Sequence, residues 1–203
     1  MAISSRLVLA TRNPGKIAEI RAILSSLPVE LVTLEGLPEI GSAEEDGLTF
    51  EQNAAKKALH VWKATGLAAL ADDSGLEVDA LGGRPGILSA RFAGEEATHA
   101  ENNRKILALL SGVPPERRRA RFVCVAALAK PDVEVVLTRG EVEGVISETP
   151  AGSRGFGYDP VFYLPAYGRT IAELDEATKN NISHRAGALR AMRPVIQALA
   201  GNR

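Results

Sequence analysis

Two adjacent carboxylates follow a short apolar run in the first half of the chain. Leu67 to Ala71 is predicted to be a buried strand, and Asp72 and Asp73 follow it directly, ahead of a Ser-Gly pair. Buried carboxylates are costly unless they are solvated, paired or bound to a metal, and open α/β sheets place ligands at strand carboxyl ends. Because Mg²⁺ binds carboxylate and phosphate oxygens, the pair favours a metal-assisted phosphate site over a plain Asp-Ser-Gly turn.

A second acidic group, Glu-Glu-Asp at residues 44–46, precedes a predicted helix. Thr49 stands at a capping-box spacing from a glutamine and is predicted to open that helix, which continues to about Ala64. Asn53 and Lys57 are four residues apart, so both lie on one helical face and could point back toward the acidic loop. The alternative is that the acidic residues only favour the positive end of the helix dipole.

A basic turn near the start of the chain has the sequence Thr-Arg-Asn-Pro-Gly-Lys at residues 11–16. It connects a predicted strand at residues 7–10 with an amphipathic helix predicted over residues 16–27. Backbone N–H groups at a helix N-terminus bind phosphate, and Lys16 adds a positive charge. A plain turn is the alternative. The segment is not a Walker A loop, since Ala10 replaces the first glycine of that motif.

The last quarter of the chain combines aromatic, acidic and basic residues. Phe-Gly-Tyr-Asp-Pro occupies residues 156–160, and its two aromatic rings either stack on a base or fill the core. Ser183 is predicted to cap the last helix, which puts His184 and Arg185 in the first turn, where the dipole disfavours cations. This position is explained if both face an anion or a hydrogen-bonding ligand. Otherwise Arg185 is a solvated surface residue and His184 a structural one.

The order of predicted elements indicates an α/β protein. A strand, a helix and a second strand at residues 29–34 open the chain. The further predicted elements are a capped helix from Thr98 through Leu110, a long antiparallel hairpin of residues 120–129 and 133–146 with a turn at Pro131-Asp132, a short strand at residues 161–163, and a last helix that Pro194 kinks or splits. We expect a single domain over residues 1–203, with one mixed, twisted sheet flanked by helices and two lobes with a cleft between them.

Composition excludes several classes of protein. Hydrophobic residues make up 45% and charged residues 24% of the 203 residues, as in soluble globular proteins. A net charge of -1 gives no overall basic field for nucleic acid, and no apolar stretch approaches the roughly 20 residues that span a bilayer. Cys124 is the only cysteine, which excludes an internal disulfide, and it is predicted to be a small apolar strand residue. We therefore expect a cytoplasmic protein without a secretory signal.

Taken together, these clusters resemble the inosine triphosphate pyrophosphatase family, hydrolases that remove non-standard purine nucleotides. Any one motif is weak, but five occur in the family's order. They are T-x-N-x-x-K from Thr11, A-D-D-S-G-L from Ala71, P-G-I-x-S-A-R from Pro85, F-G-Y-D-P from Phe156 and S-H-R from Ser183.

The resemblance implies a deep cleft between two lobes, a homodimer, and Mg²⁺-dependent cleavage between the α and β phosphates of inosine, deoxyinosine and xanthosine triphosphates. It implies that Asp73 with Glu44 or Glu45 holds the metal. It also implies that Asp73, Asp72 and Lys57 are catalytic, with either aspartate accepting the proton of the attacking water. The implied substrate-binding residues are Thr11, Arg12, Asn13, Pro14, Gly15, Lys16, Asn53, Ser74, Phe156, Gly157, Tyr158, Asp159, Lys179, His184 and Arg185.

Hydrogen-bond polarity gives a reason for the implied rejection of ATP. Hypoxanthine and xanthine present an acceptor oxygen at position six, which suits donors such as Arg185 and His184. Adenine presents an amino group there and would leave buried donors unpaired.

Three other functions remain open from the residues alone. A related pyrophosphatase of the septum-formation type would prefer pyrimidine or modified nucleotides, and the F-G-Y-D-P and S-H-R motifs disfavour it. A nucleotide-binding module without catalysis would not need the carboxylate pair. A nicotinamide-dependent oxidoreductase is disfavoured because the glycine fingerprint that starts at Gly155 has Pro160 in place of its third glycine.

Overall fold

The computed structural model describes residues 5–37, 40–131 and 133–201, and within them seven strands form one mixed sheet flanked by helices. The strands are β1 (Ser5–Leu9), β2 (Val29–Thr33), β3 (Ala68–Val78), β4 (Arg119–Ala129), β5 (Val136–Ile146), β6 (Phe162–Leu164) and β7 (Arg169–Thr170). The α-helices are α1 (Pro14–Leu24), α2 (Phe50–Thr65), α3 (His99–Leu109), α4 (Glu176–Ile182) and α5 (His184–Gly201). The strand order is β2-β1-β3-β4-β5-β6-β7. β1 is parallel to β2 and β3, whereas β6 is antiparallel to β5 and β7, so the predicted mixed α/β sheet is confirmed.

Most predicted elements lie within a few residues of the observed ones. Helix α1 begins two positions early because Pro14 can occupy the first helical turn, where its missing N–H costs nothing. Helix α5 is not split, since it continues through Pro194. Helix α4 has no counterpart among the predicted elements. The predicted turn between β4 and β5 includes Asp132, which lies outside the described residues.

Strand β3 contradicts the prediction that a short strand ends before the carboxylate pair. It has 11 residues, so Asp72 and Asp73 lie inside it. β1 pairs with β3 only up to Leu9, opposite Leu70, whereas β4 is the neighbour of β3 on its other edge. The carboxylates therefore lie just beyond the carboxyl end of β1, although their own strand continues.

The chain divides into two compact units, and the first comprises the described parts of Met1–Asp73, Cys124–Gly140 and Arg185–Arg203. Its core packs α1 and α5 against β1, β3 and β4, through Leu7, Leu9, Ile20, Leu24, Leu70, Cys124, Leu189, Met192 and Ile196 among others. Burial raises the pKa of the Cys124 thiol to about 12, so the cysteine is un-ionised and serves as the small apolar residue that was predicted.

The second unit comprises Ser74–Val123 and Glu141–His184 and has a core of its own. That core includes Leu76, Val78, Ile106, Leu110, Phe122, Tyr158, Phe162 and Leu164. The cleft between two lobes stays a prediction. None of the helices in the described part of the chain is long and apolar enough to cross a membrane.

Helix α3 has the capping box predicted for it. The Oγ1 of Thr98 accepts a hydrogen bond from the N–H of Glu101 at 3.3 Å, and the Glu101 carboxylate accepts one from the N–H of Thr98 at 2.8 Å. These two bonds satisfy backbone donors that the first turn of a helix leaves without partners.

We expect Thr98→Ala to lower the free energy of unfolding by about 1 kcal/mol, because it removes the capping oxygen. Thr98→Ser keeps that oxygen and should stay within about 0.5 kcal/mol of wild type. Urea unfolding of the three proteins measures both values. Equal stability of the alanine and serine variants would contradict the assignment of Thr98 as the N-cap.

Candidate active site

Strand geometry sends the two adjacent aspartates to opposite faces of the sheet. Successive side chains of a β-strand alternate between faces. Leu70, two residues before Asp72, packs in the core with α1 and α5. Asp72 therefore lies on the α1 and α5 side, and Asp73 lies on the face that α2 covers. The two carboxylates have separate hydrogen-bond partners, and their pKa values are shifted in opposite directions.

Asp72 is held by a buried network of alternating charges in the first unit. Its Oδ2 accepts hydrogen bonds from Lys16 Nζ at 2.9 Å and from Arg185 Nη2 at 3.0 Å. Arg185, only 1% exposed, also makes a short ion pair with the buried carboxylate of Glu19 on α1. Two acids and two bases thus neutralise one another inside the protein, which is the arrangement that makes buried charge tolerable.

The network sets the protonation state of Asp72. Burial alone would raise the pKa of Asp72, but the charges of Lys16, Arg185 and Lys57 outweigh burial and hold that pKa well below its usual range. Burial likewise opposes ionisation of Arg185, yet Asp72 and Glu19 keep its pKa above the ordinary value. Asp72 is therefore a permanent anion with little affinity for a proton.

Asp73 faces a different set of groups, carried by α2 and the acidic loop. Lys57 Nζ donates to its Oδ1 at 2.7 Å, and Asn53 Nδ2 lies 3.5 Å from its Oδ2. Glu45 also reaches Lys57, at 3.7 Å. Burial raises the pKa of Asp73, and Lys57 offsets only part of that rise. The pKa of Lys57 is raised, because Asp73, Asp72 and Glu45 together outweigh its own burial.

Asn53 connects the acidic loop to Asp73, as its position on the same face of α2 as Lys57 predicted. Its Oδ1 accepts from the N–H of Gly47 at 2.8 Å, so the end of the loop is fixed to the helix. A Cβ on Gly47 would come within 2.5 Å of that same oxygen, which leaves room for glycine alone. Asn53 therefore positions the loop, and its predicted contact with the substrate stays a prediction.

The residues predicted to hold a metal are two exposed glutamates and one buried aspartate. Glu44 and Glu45 are exposed on the acidic loop, and Asp73 is 7% exposed. Within the described residues, no three His, Cys, Asp or Glu side chains come together as a group that could hold a metal ion. Mg²⁺ commonly takes one or two protein carboxylates and completes its shell with water and substrate phosphate, so an Asp73–glutamate set suits that ion.

The predicted phosphate turn surrounds the start of α1. Asn13 is the N-cap, and its Oδ1 accepts from the N–H of Lys16 at 3.1 Å, while Thr11 Oγ1 accepts from the N–H of Asn13 at 3.2 Å. Pro14 and Gly15 form the first helical positions. Arg12 donates to the carbonyl of Ile40 at 2.6 Å, so it braces the chain ahead of the acidic loop. Ser74 is half-buried and is the first residue of the second unit.

A cradle in the second unit joins a carboxylate, an ammonium group and an aromatic ring. The Oδ2 of Asp159 accepts from Lys179 Nζ at 2.5 Å and from the N–H of Phe156 at 2.8 Å. Lys179 also lies over the Phe156 ring, 4.7 Å from its centroid. Gly155 borders this cradle with φ +76°, and a Cβ there would collide with Asp159 and lie 3.0 Å from Lys179 Nζ. Three residues predicted to bind the substrate are thus brought together.

Two predicted base contacts have other partners in the structure. Tyr158 is in the core of the second unit, where its hydroxyl donates to the carbonyl of Ser89 at 2.8 Å, and its predicted contact with the base stays a prediction. Arg185 faces an anion, as its place in the first turn of α5 indicated, but that anion is the protein's own Asp72. The predicted contact of Arg185 with the base edge stays a prediction.

His184 stays with the second unit, although Arg185 belongs to the first. Its ring stacks on Phe122 with centroids 4.8 Å apart and planes inclined by 14°. Gly157 accepts a hydrogen bond at its carbonyl from Asn103 Nδ2 at 3.1 Å. Within the S-H-R motif, Ser183 and His184 therefore belong to the second unit and Arg185 to the first, and all three are buried.

Sequence reasoning missed Glu19 and Gly155. Glu19 stands three residues after Lys16 among the apolar positions of α1, and an acid on such a face is the signal that marks a buried partner. Gly155 was noted only as part of a failed dinucleotide fingerprint. Its positive φ and the contact with Asp159 depend on the folded loop.

Sheet and site together define a mixed α/β protein whose strand β3 carries a buried cluster of paired charges. The Ham1 family model matches residues 7–195, and the chain belongs to the Ham1 family. It is 51% identical over 189 residues to the dITP/XTP pyrophosphatase of Geobacter sulfurreducens, covering 93% of this chain and 95% of that protein. It is 50% identical over 194 residues to the dITP/XTP pyrophosphatase of Desulforamulus reducens, covering 96% of each.

Solved structures of the family have the same fold. The Staphylococcus aureus Ham1 protein is 39% identical and superposes with a TM-score of 0.85, covering 96% of this chain and 99% of that one. A HAM1 protein from Coxiella burnetii is 43% identical, with a TM-score of 0.85 and the same coverage of both chains. The fold observed here is therefore the fold of the family.

We expect Asp72→Asn to lower the free energy of unfolding at pH 7 by about 3–5 kcal/mol, because it removes the buried anion that Lys16 and Arg185 share. The folded pKa of Asp72 lies below the ordinary value of 3.8, so ionised Asp72 stabilises the fold at every pH above that value. As pH falls below 3.8, the unfolded wild type gains a proton that the folded protein does not bind, and the difference from the variant should shrink. Urea unfolding from pH 7 to pH 3 in EDTA measures this.

Asp73→Asn is the matched control for that series. Burial raises the pKa of Asp73, so its ionised form gives the fold no comparable stabilisation at neutral pH. A pH-independent loss for Asp72→Asn, or an equal loss for both variants at pH 7, would contradict the assignment of Asp72 as the buried structural anion.

We expect Gly155→Ala to displace Asp159 from Phe156 and Lys179, because the added Cβ occupies the space of the Asp159 carboxylate. Gly168→Ala is the control for backbone strain, since Gly168 has φ +63° and its Cβ would meet only Tyr163 Oη, at 4.0 Å. The loss of a charge-assisted hydrogen bond should raise KM for a purine substrate about tenfold in Gly155→Ala. Steady-state kinetics of the two variants measure this, and equal KM values would show that the cradle contributes nothing to binding.

Proposed function

We propose that the protein hydrolyses non-standard purine nucleoside triphosphates, dITP, ITP and XTP, to the monophosphate and pyrophosphate. Relatives that are about half identical over nearly the whole chain are named dITP/XTP pyrophosphatases. The single observation that carries the proposal is that Asp72 and Asp73 on β3 have different partners. Cations fix Asp72 as an anion, whereas Asp73 faces Lys57, Asn53 and the acidic loop.

Asp73 is the better acceptor for the proton of the attacking water. In the reaction, water oxygen bonds to the α-phosphorus, the bond from that phosphorus to the α-β bridging oxygen breaks, and pyrophosphate leaves with the bridging oxygen. A general base needs a pKa near the working pH. Burial raises the pKa of Asp73 toward that range, whereas Lys16 and Arg185 hold the pKa of Asp72 far below it. Asp72 is accordingly a positioning residue.

Asp73 and a glutamate of the acidic loop, Glu44 or Glu45, would hold Mg²⁺. Both loop glutamates are exposed, and Glu45 shares Lys57 with Asp73, so carboxylate oxygens and a neutralising lysine are already near one another. When bound, the ion supplies positive charge to the phosphoryl oxygens on which negative charge develops. Lys57 supplies further positive charge at that position and keeps Asp73 in place through its 2.7 Å hydrogen bond.

The start of α1 would bind the phosphate groups. Asn13 caps the helix, and Pro14 is its first residue. The N–H of Gly15 and the Lys16 side chain present positive charge at the helix N-terminus. Lys16 is only partly exposed and is anchored to Asp72 at 2.9 Å, so its ammonium group is fixed in advance. A fixed charge needs no reorganisation when the transition state forms. Thr11 and Ser74 supply hydroxyl groups as further candidate phosphate contacts.

The second unit would recognise the purine. Phe156 is half-buried and offers its ring for stacking, and Lys179 is an ammonium donor held beside it by Asp159. An oxygen at position six of hypoxanthine or xanthine would accept a hydrogen bond from Lys179 or His184. The amino group of adenine would leave such a donor unpaired, which disfavours ATP.

We further propose that the protein works as a homodimer in the cytoplasm. The support for the dimer is the resemblance to the pyrophosphatase family, and the support for the compartment is a single, buried, un-ionised cysteine together with the ordinary composition of the chain.

The test is pyrophosphate release from ITP, XTP, ATP, GTP, CTP and UTP, with Mg²⁺ and again with EDTA. We expect release from ITP and XTP alone, lost in EDTA. Asp73→Asn should lower kcat by about 10²–10⁴-fold, the usual contribution of a general base. Asp79→Asn, an exposed carboxylate of the second unit, is the control and should keep wild-type kcat.

Other outcomes identify the remaining functions. Release confined to CTP, UTP or modified pyrimidines would keep the reaction and replace the base assignment with that of the septum-formation type. Nucleotide binding without any turnover, unchanged in Asp73→Asn, would favour a binding module. Full activity in EDTA would contradict the metal assignment.

A further inference from the structure

Helix α3 fixes the loop that carries Phe156, although none of the five motifs quoted above lies on this helix. Asn103 on α3 is 7% exposed, and its Nδ2 donates to the carbonyl of Gly157 at 3.1 Å. His99, one turn earlier on the same face, lies beside Phe156 with ring centroids 6.3 Å apart. One face of α3 thus contacts Phe156 and the residue that follows it.

The neighbouring residue of α3, Asn102, holds a second segment, residues 90–93. Asn102 accepts from the N–H of Ala93 at 2.7 Å and donates to the carbonyl of Ala90 at 3.0 Å, which ties α3 to the turn at Gly86–Arg91. Within that turn, the carbonyl of Ser89 accepts from the Tyr158 hydroxyl at 2.8 Å. Residues 157 and 158, which follow Phe156 directly, are therefore both anchored through α3.

Asn103 is not explained by stability. In the described part of the chain, no donor reaches its buried Oδ1. A buried acceptor without a partner costs free energy, and an apolar residue of similar size would avoid that cost. The Asn103 side chain lowers the stability of the fold through its Oδ1 but holds the loop that carries Phe156. This combination is typical of a residue that serves function.

We propose that Asn103 is a positioning residue, which sets the Phe156 ring for stacking on the purine by holding the Gly157 carbonyl. This inference rests on the proposed function, because it needs a purine substrate. Asn103 itself need not touch the substrate. Its contribution is to reduce the freedom of the loop before binding, which would otherwise have to be lost when the base stacks.

Asn103→Leu separates this role from a purely structural one. The substitution keeps a similar volume, removes the partnerless oxygen and abolishes the hydrogen bond to Gly157. We expect KM for ITP to rise about fivefold, the loss of one hydrogen bond, with kcat within about twofold of wild type and no fall in melting temperature. Asn103→Asp should raise KM further, because its carboxylate repels the Gly157 carbonyl.

A double-mutant cycle with Phe156→Ala tests the route of the effect. Phe156→Ala alone should raise KM tenfold or more, since base stacking is worth about 1–3 kcal/mol. Adding Asn103→Leu to it should raise KM by less than about twofold, because Asn103 acts through the ring. Thr98→Ala, which weakens the cap of α3 and contacts no part of the loop, is the control and should leave KM unchanged.

Three results would overturn the inference. They are a KM for Asn103→Leu within twofold of wild type, an undiminished effect of Asn103→Leu in the Phe156→Ala background, and a KM rise in Thr98→Ala equal to that of Asn103→Leu. Wild-type protein that releases no pyrophosphate from ITP or XTP would overturn the proposed function first, so the two failures are distinguishable.

Discussion

The alternation of side chains along β3 is the constraint on which the site depends. It places two carboxylates in different surroundings although they belong to consecutive residues. One face of the strand continues the core of α1 and α5, so Asp72 meets Lys16 and Arg185, and a carboxylate there is stable only as a paired anion. The other face meets α2, where burial raises the pKa of Asp73 and the charge of Lys57 offsets only part of that rise. Two residues that are chemically identical in the sequence thus have carboxyl pKa values shifted in opposite directions.

Backbone geometry has the corresponding role in the second unit. Asp159 receives both the Phe156 N–H and the Lys179 ammonium group, and this is possible because Gly155 leaves the space empty at a positive φ. Helix α3 then fixes the following residues through Gly157 and, by way of Ser89, through Tyr158. Of the two aromatic rings of the F-G-Y-D-P motif, Tyr158 is in the core of the second unit and Phe156 stays half-buried.

Local patterns predicted the parts of the molecule whose causes are local. Thr49 and Thr98 cap helices as their spacing indicated, and the i, i+4 spacing of Asn53 and Lys57 brought both to Asp73. What the sequence could not predict depends on distant partners. β3 continues because β4 pairs along it, and Glu19 is buried because Arg185, 166 positions away, meets it. A motif records that Arg185 is present, but only the fold shows that it faces Asp72 and Glu19.

The placement of Asp72 and Asp73 on opposite faces of β3 is tested most directly by the binding of Mn²⁺, a paramagnetic substitute for Mg²⁺. Electron paramagnetic resonance at pH 7 measures this binding for wild type, Asp72→Asn and Asp73→Asn. We expect Asp73→Asn to weaken Mn²⁺ binding. Folded Asp72→Asn should bind the ion as wild type does, because the wild-type Asp72 carboxylate is directed to Lys16 and Arg185. Equal weakening in both variants, or weakening in Asp72→Asn alone, would contradict this placement.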